Sequence, residues 1–167
     1  MKKIGVLSDT HGFLEPRILD FFKDRDEIWH AGDIGNIQTA EHLEQFKPLK
    51  AVFGNIDSYD MRLRYKISET FYCEEVLVYI THIGGYPGHY EKEVAASIAE
   101  AKPNIVVCGH SHILRVMNDK KYNLLYLNPG AAGNSGFHTV KTALRFDIDG
   151  KDIRNMEVFE MKRNANI

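Results

Sequence analysis

Five times along this chain a short apolar run stops at a glycine set beside a carboxylate, an amide or an imidazole. Lys2 to Leu7 runs into Ser8-Asp9-Thr10-His11-Gly12, Glu27 to His30 into Ala31-Gly32-Asp33, and Leu49 to Phe53 into Gly54-Asn55-Ile56-Asp57. Val76 to Ile80 leads to Thr81-His82-Ile83-Gly84-Gly85, and Asn104 to Cys108 to Gly109-His110-Ser111-His112. Apolar runs of this length, closed by a chain breaker, read as buried strands. Side chains alternate along an extended chain, so Asp9 and His11 are expected to point the same way and to grip one metal ion together. Gly12 lets the backbone turn sharply with no Cβ in the way. A lone Asp-x-His is most simply a strand entering a polar loop. Its fivefold recurrence makes chance the poorer explanation.

Helical patterns fill the early gaps. Pro16 suits a first helical turn, and Ile18, Leu19 and Phe22 form a stripe over residues 17–23. Ile37 to Phe46 carries Ile37, Ala40, Leu43 and Phe46 in helical register before Pro48, and Glu91 to Ala101 places Val94, Ala95, Ile98 and Ala101 on one side. Phe13 and Leu14 are expected in the core. Residues 58–75 read weakly, with Asp60, Arg62, Arg64 and Lys66 as a solvated face and the arginines as candidates to meet an anion. Beyond His112 the period becomes two: 113–117 with 122–127 forms one hairpin, and 141–147 with 153–159, joined around Asp149-Gly150, forms another. Asn128-Pro129-Gly130 is a turn signal, and residues 161–167 read as a frayed tail.

Strands alternating with helices favour a parallel sheet covered on both faces, with the late hairpins extending a second sheet packed on the first. The fold class is therefore α/β, in a single domain spanning 1–167, a length that buries roughly two-thirds of its unfolded surface. In open α/β folds, ligands bind beyond the carboxyl ends of the strands. That rule gathers Asp9, His11, Asp33, Asn55, His82, His110 and His112 on one rim.

A net charge of −2 supplies no basic excess, so extended nucleic-acid or anionic-membrane partners are not expected. Cys73 and Cys108 alone build neither a disulfide framework nor a CxxC site. Only Ile4 to Leu7 precede the polar Ser8-Asp9, too few for a signal-peptide core, and no apolar run approaches the ~20 residues of a membrane span. A cytoplasmic protein is the expectation.

Seven nitrogen and oxygen ligands exceed the four of a tetrahedral site. With one carboxylate bridging, they suit two divalent ions roughly 3.5–4 Å apart. Mixed imidazole and carboxylate ligation without thiolate fits manganese, iron, zinc or nickel, and ligand type alone does not choose among them, manganese being the favoured expectation. Among the other histidines, His30 precedes the Asp33 loop and is expected to support ligands, His42 to be solvated, and His138 to open a late strand in a structural role.

In this order, Asp9-x-His11, Gly32-Asp33, Gly54-Asn55, His82 and Gly109-His110-x-His112 resemble the calcineurin-like metallophosphoesterase superfamily, and the short length resembles its small YfcE-type phosphodiesterase branch. The motifs run from Asp9 to Pro129-Gly130. The resemblance implies a four-layer αββα sandwich of two mixed sheets with a dinuclear metal centre. Asp9, His11 and His112 would hold one ion, Asn55, His82 and His110 the other, with Asp33 bridging them. Asn128 matches a turn near the site and takes no direct chemistry.

Two positions depart from the superfamily pattern. Ile56 replaces the histidine usually credited with stabilising or protonating the leaving group, and Asn36 replaces the second acidic residue of Gly-Asp-x-x-Asp. Both departures resemble the small phosphodiesterase branch. The expected activity is dinuclear-metal-dependent hydrolysis of small phosphodiesters with activated leaving groups, by in-line attack of a metal-bridging hydroxide. Asp33 and Asn55 are the expected catalytic ligands, Asn55 offering its amide N–H₂ to a phosphate oxygen. Asp57, His89 or water are candidate proton donors. The alternatives are a protein-interaction scaffold, like the retromer subunit that resembles this branch, and a phosphomonoesterase or nuclease. Nothing demands a homo-oligomer, though surface hairpins would support one.

Overall fold

A computed structural model describes residues 1–164. The first sheet has the order β10-β9-β1-β2-β3, built from β1 (Lys2–Leu7), β2 (Glu27–His30), β3 (Leu49–Ala51), β9 (Val140–Asp149) and β10 (Asp152–Lys162). The second has the order β4-β5-β6-β8-β7, from β4 (Ser68–Cys73), β5 (Val76–Thr81), β6 (Ile105–Val107), β7 (Leu114–Asp119) and β8 (Leu124–Pro129). Both are mixed: β1, β2 and β3 run parallel, as do β5, β6 and β8, while β9 and β10 in the first sheet and β4 and β7 in the second pair antiparallel.

Strand alternation builds the layers. Ile4, Val6 and Trp29 of the first sheet meet Val78, Ile80, Ile105, Val107 and Leu127 of the second in a dry interior. Trp29 packs edge-on against both Phe71 and Phe146, at 5.4 and 5.7 Å between centroids. The alternate residues Leu7, Ile28 and Ala143 face outward onto α1 (Pro16–Phe21) and α2 (Ile37–Phe46) through Ile18 and Leu43. On the opposite side, Tyr79, Val106 and Tyr126 pack on Val94 and Ile98 of α4 (Lys92–Ala101). Helix, sheet, sheet, helix: this is the expected αββα sandwich. No helix among the described residues is long and apolar enough to cross a membrane.

Several expectations are corrected. The second late hairpin does not extend the second sheet; β9 inserts into the first, beside β1, with Val6 opposite Leu144. Leu144, Phe146 and Ile148 face the interior while Ala143 faces the helices, so β9 is buried on both faces and takes a place inside the sheet. Asn128 and Pro129 continue β8 rather than forming a turn, and Gly130 alone takes a positive φ (73°), its N–H held by Asn128 Oδ1. Met161 and Lys162 pair with β9 rather than fraying, and residues 165–167 of that expected tail lie outside the described residues.

The first helix spans Pro16–Phe21 rather than 17–23, since Phe22 leaves helical geometry and lays its ring over Gly5. Phe13 stays partly exposed under the Lys141 ammonium, whereas Leu14 joins the core. The weakly read segment contains α3 (Tyr59–Arg64). It buries Met61 alone, with Tyr59 and Leu63 exposed, so it lacks an apolar stripe. Asp60 in its first turn and Arg62 and Arg64 in its last complement the helix dipole. Asn36, standing where an acid was expected, is the N-cap of α2 and accepts from the Thr39 N–H at 2.8 Å.

Candidate metal centre

The seven expected ligands converge, but from both sheets. Asp9 and His11 follow β1, Asp33 follows β2 and Asn55 follows β3, while His82 follows β5 and His110 and His112 follow β6. The site is the seam where two sets of parallel strand ends meet rather than one rim. Extended alternation does not aim the side chains either. Asp9, His11, Asp33, His110 and His112 all adopt left-handed backbone, with φ between 48° and 70°. Such geometry costs about 1–3 kcal/mol per non-glycine residue, Asp and His tolerating it better than most. Rungs between the loops hold it: Asp9 N–H donates to Gly32 O, His11 N–H to Asp33 O and Gly12 N–H to Ile34 O, at 2.7–3.0 Å.

Asp9 is fully buried. Its Oδ2 accepts from Ser8 Oγ at 2.7 Å and from the His110 N–H at 3.1 Å. Gly109 permits this closeness, since a Cβ there would stand 2.2 Å from Ser8 Oγ and 2.9 Å from Asp9 Oδ2. Asp9 Oδ1 has no hydrogen-bond partner, and neither has the buried His11 Nε2. They lie 3.8 Å apart, with His112 Nε2 3.2 Å from the same oxygen. Unpaired buried polar atoms cost about 1–3 kcal/mol each. A cation among these three residues would satisfy them, so the donor set fits a metal ion.

Asp33 Oδ1 accepts the Ile56 N–H at 3.1 Å, while Oδ2 stands 3.5 Å from His11 Nε2 and 3.2 Å from His82 Nε2. One carboxylate oxygen thus faces imidazoles from both halves of the site. His82 Nδ1 donates to Ala31 O at 2.7 Å, which turns Nε2 toward Asp33 and toward Asn55 Oδ1 at 3.0 Å. His110 Nδ1 is 3.1 Å from that same amide oxygen. Asp9, His11 and His112, and separately Asp9, Asp33 and His82, form groups able to hold a metal ion.

Charges are balanced for the same end. Burial opposes ionisation of Asp9, but the His11, His112 and His82 imidazoles beside it outweigh that and hold the carboxyl well below the usual range. Asp33 is likewise lowered, burial yielding to His82. The His11 pKa rises because of Asp9, and that of His82 rises because Asp33 and Asp9 overcome its burial.

The surrounding residues fix orientation. His30 is fully buried; Nδ1 accepts the Gly32 N–H at 3.1 Å, so Nε2–H donates to Thr10 Oγ1 at 2.9 Å, whose hydroxyl donates to Ile34 O. His30 thus supports the ligand loops as expected, and His42 is exposed. His138 was missed. It precedes β9 rather than opening a strand, and its Nε2–H donates to Gly133 O at 2.8 Å. Its Nδ1 lone pair then faces His112 Nδ1 at 3.2 Å. The proton between those two nitrogens must belong to His112, which leaves His112 Nε2 bare toward Asp9. The clustered glycines 130, 133 and 136 just before it were the available signal.

The two candidate proton donors sit elsewhere. Asp57 is buried and accepts the N–H groups of Gly54, Gly35 and Ile34 at 2.8, 2.8 and 3.2 Å, clamping two ligand loops together. His89 is exposed and packs on Tyr86 at 4.8 Å. Ile56 is 46 % exposed and contributes its backbone. Arg64 pairs with Glu44, while Arg62 donates to the carbonyls of Asp57 and Asn55. Asn128 donates to Gly109 O and Ser111 Oγ, steadying the His110 loop.

Comparison with known proteins bears on the family and the fold. The calcineurin-like phosphoesterase superfamily domain matches residues 1–151. The chain is 29% identical over 135 residues to a protein of Methanothermobacter thermautotrophicus named "Probable metallophosphoesterase", covering 77% of this chain and 76% of that one. Among solved structures, the fold matches an archaeal phosphodiesterase with a TM-score of 0.71 at 21% identity, over 94% of this chain and 99% of the other. It also matches Vps29 of Entamoeba histolytica complexed with zinc, with a TM-score of 0.75 at 16% identity, over 97% and 99%. With the motifs, the sandwich and the seam of ligands in agreement, the chain belongs to the calcineurin-like phosphoesterase superfamily.

Proposed function

We propose that this protein is a dinuclear metal-dependent phosphodiesterase acting on small phosphodiesters. The observation that carries the proposal is the pair of buried, unpartnered atoms, Asp9 Oδ1 and His11 Nε2, turned toward one another beside Asp33. Asp9, His11 and His112 would hold one divalent ion, and Asn55, His82 and His110 a second, with Asp33 Oδ2 shared. Manganese is the favoured ion, and the nitrogen and oxygen donors suit iron, zinc or nickel as well. When bound, two such ions supply Lewis acidity toward a phosphoryl oxygen and lower the pKa of water.

The chain's own groups set the rest. Asn55 Oδ1 is engaged by His82 and His110, so the amide N–H₂ is free to donate to a phosphoryl oxygen. Ile56 puts an alkyl group where a proton donor would serve a poor leaving group, and Asp57 is committed to backbone N–H groups. Hydrolysis then releases the leaving oxygen as an anion that takes its proton from solvent, which suits activated leaving groups. A protein-interaction scaffold on the same fold predicts eroded ligands, whereas all seven positions here carry ligating side chains.

The test is hydrolysis of bis-p-nitrophenyl phosphate with added manganese by wild type, Asp33→Ala and His110→Ala. Wild type should turn over and both variants fall by at least about a hundredfold, the scale of losing a metal or its orientation. Wild type no faster than the variants refutes the proposal.

A further inference from the structure

Of the cavities beside the ligand side chains, two share Ile83 as a common wall, while a third, bordered by His110, His112 and Phe137, does not include it. One, about 270 Å³, is lined by His110, Ser111, Ile113, Tyr86 and Arg115, with Glu91 also on its wall. The other, about 210 Å³, is lined by Asn55, His82, Phe53, Arg62 and Ile67. Their make-up is alike. The Arg115 guanidinium lies 4.3 Å from the Tyr86 ring centroid, and that of Arg62 lies 4.9 Å from the Phe53 centroid. Each cavity therefore offers a flat cation backed by an aromatic ring, together with one exposed isoleucine of its own beside the shared Ile83. Arg62 is ordered by its bonds to the Asp57 and Asn55 carbonyls, at 3.0 and 3.3 Å. The Tyr126 hydroxyl, donating to Gly85 O at 2.6 Å, braces the loop that carries Tyr86.

Neither cavity reaches the ~300 Å³ of an ordinary small-molecule site, but together they do. Ligand side chains stand on both, His110 on the one and Asn55 and His82 on the other, with the His82 and His110 rings 5.3 Å apart. A ligand that uses both has two arms on one centre, and a phosphodiester is such a molecule. The walls select the arms: guanidinium faces that stack on rings, together with isoleucine, favour flat rings over short alkyl groups. We infer that the two cavities are paired substituent subsites, and that the preferred substrates are phosphodiesters bearing a planar aromatic or heteroaromatic group on each ester oxygen. This rests on the phosphodiesterase reading and specifies its substrate class.

The experiment is calorimetric binding to the manganese-loaded full chain, with diphenyl phosphate and methyl phenyl phosphate as probes. Ile67→Trp and Ile113→Trp fill one cavity each; both residues are exposed, at 66% and 58%, and neither is a metal ligand, so folding should survive. Wild type should bind diphenyl phosphate at least about tenfold more tightly than methyl phenyl phosphate, the discrimination a filled apolar pocket supplies. Each tryptophan should remove that advantage, whereas methyl phenyl phosphate, whose one ring still has an open cavity, should lose at most about threefold in either variant. Equal affinity of wild type for the two probes, no binding of diphenyl phosphate, or diphenyl binding untouched by either tryptophan overturns the inference. Binding is read without turnover, so inactivity toward bis-p-nitrophenyl phosphate counts against the hydrolase while two-armed binding is judged separately.

Discussion

Replacing His30 by phenylalanine should give a stability loss that disappears on acidification. Burial pushes the His30 pKa from 6.5 down to about 4, because the cation cannot be solvated in that layer. The unfolded chain then binds a proton between those values that the folded chain refuses, so wild-type stability falls as pH drops through that window. At 1.36 kcal/mol per unit, the loss is about 3 kcal/mol by pH 4. Near pH 7 the phenylalanine variant leaves the Gly32 N–H without its Nδ1 acceptor and Thr10 Oγ1 without its donor, a cost of about 2–3 kcal/mol. The variant has no titrating group at this position, so the two proteins should converge near pH 4. His11 and His82, with raised pKa values, act in the opposite direction, but they are present in both proteins and cancel. Urea unfolding followed by circular dichroism, with chelator present and pH stepped from about 7 to about 4, measures the difference. A gap that stays constant across the range would refute the neutral-imidazole account of His30.

Removing the Asp57 carboxylate with alanine orphans three backbone N–H groups and should cost about 3–5 kcal/mol in urea unfolding; a loss below 1 kcal/mol would show that the clamp is unimportant. Changing His138 to phenylalanine frees the His112 tautomer and should weaken manganese binding by about 10–100-fold in a direct titration, and an unchanged isotherm would rule out that orienting role. Because His11 and His82 hold protons above their usual pKa, metal uptake near neutral pH should release protons and tighten as pH rises. Calorimetry in buffers of different ionisation enthalpy reads that release, and its absence contradicts the raised pKa of the two imidazoles.

Much of this site was legible because its ligands are announced locally. Each follows an apolar strand and has a glycine within three residues, and α2 (Ile37–Phe46) matches the periodicity residue for residue. What the sequence hid depends on pairing or on backbone handedness. The period of two in β9 declares a strand but not its neighbour, and its insertion beside β1 follows from burial on both faces. Alternation supplied a wrong reason for a correct convergence, since Asp9 and His11 share a direction through left-handed loops. His138 lies 26 residues from the ligand that it orients, so no local pattern connects them. Tertiary packing also gave α3 its one buried anchor, Met61, without an apolar stripe to advertise it.

The left-handed ligands also bias how this fold can lose its metal by drift. An aspartate changed to asparagine at position 9 keeps a side chain suited to φ of 55° and an oxygen for Ser8 and His110, so the loop survives while the ion is released. A β-branched replacement there is penalised twice, once in the ligand and once in the backbone. Descent into a silent copy therefore runs through a narrow chemical alphabet of asparagine and glycine, and shape outlasts chemistry along that route. Unfolding midpoints should record the asymmetry, with Asp9→Asn close to metal-free wild type and Asp9→Val well below it.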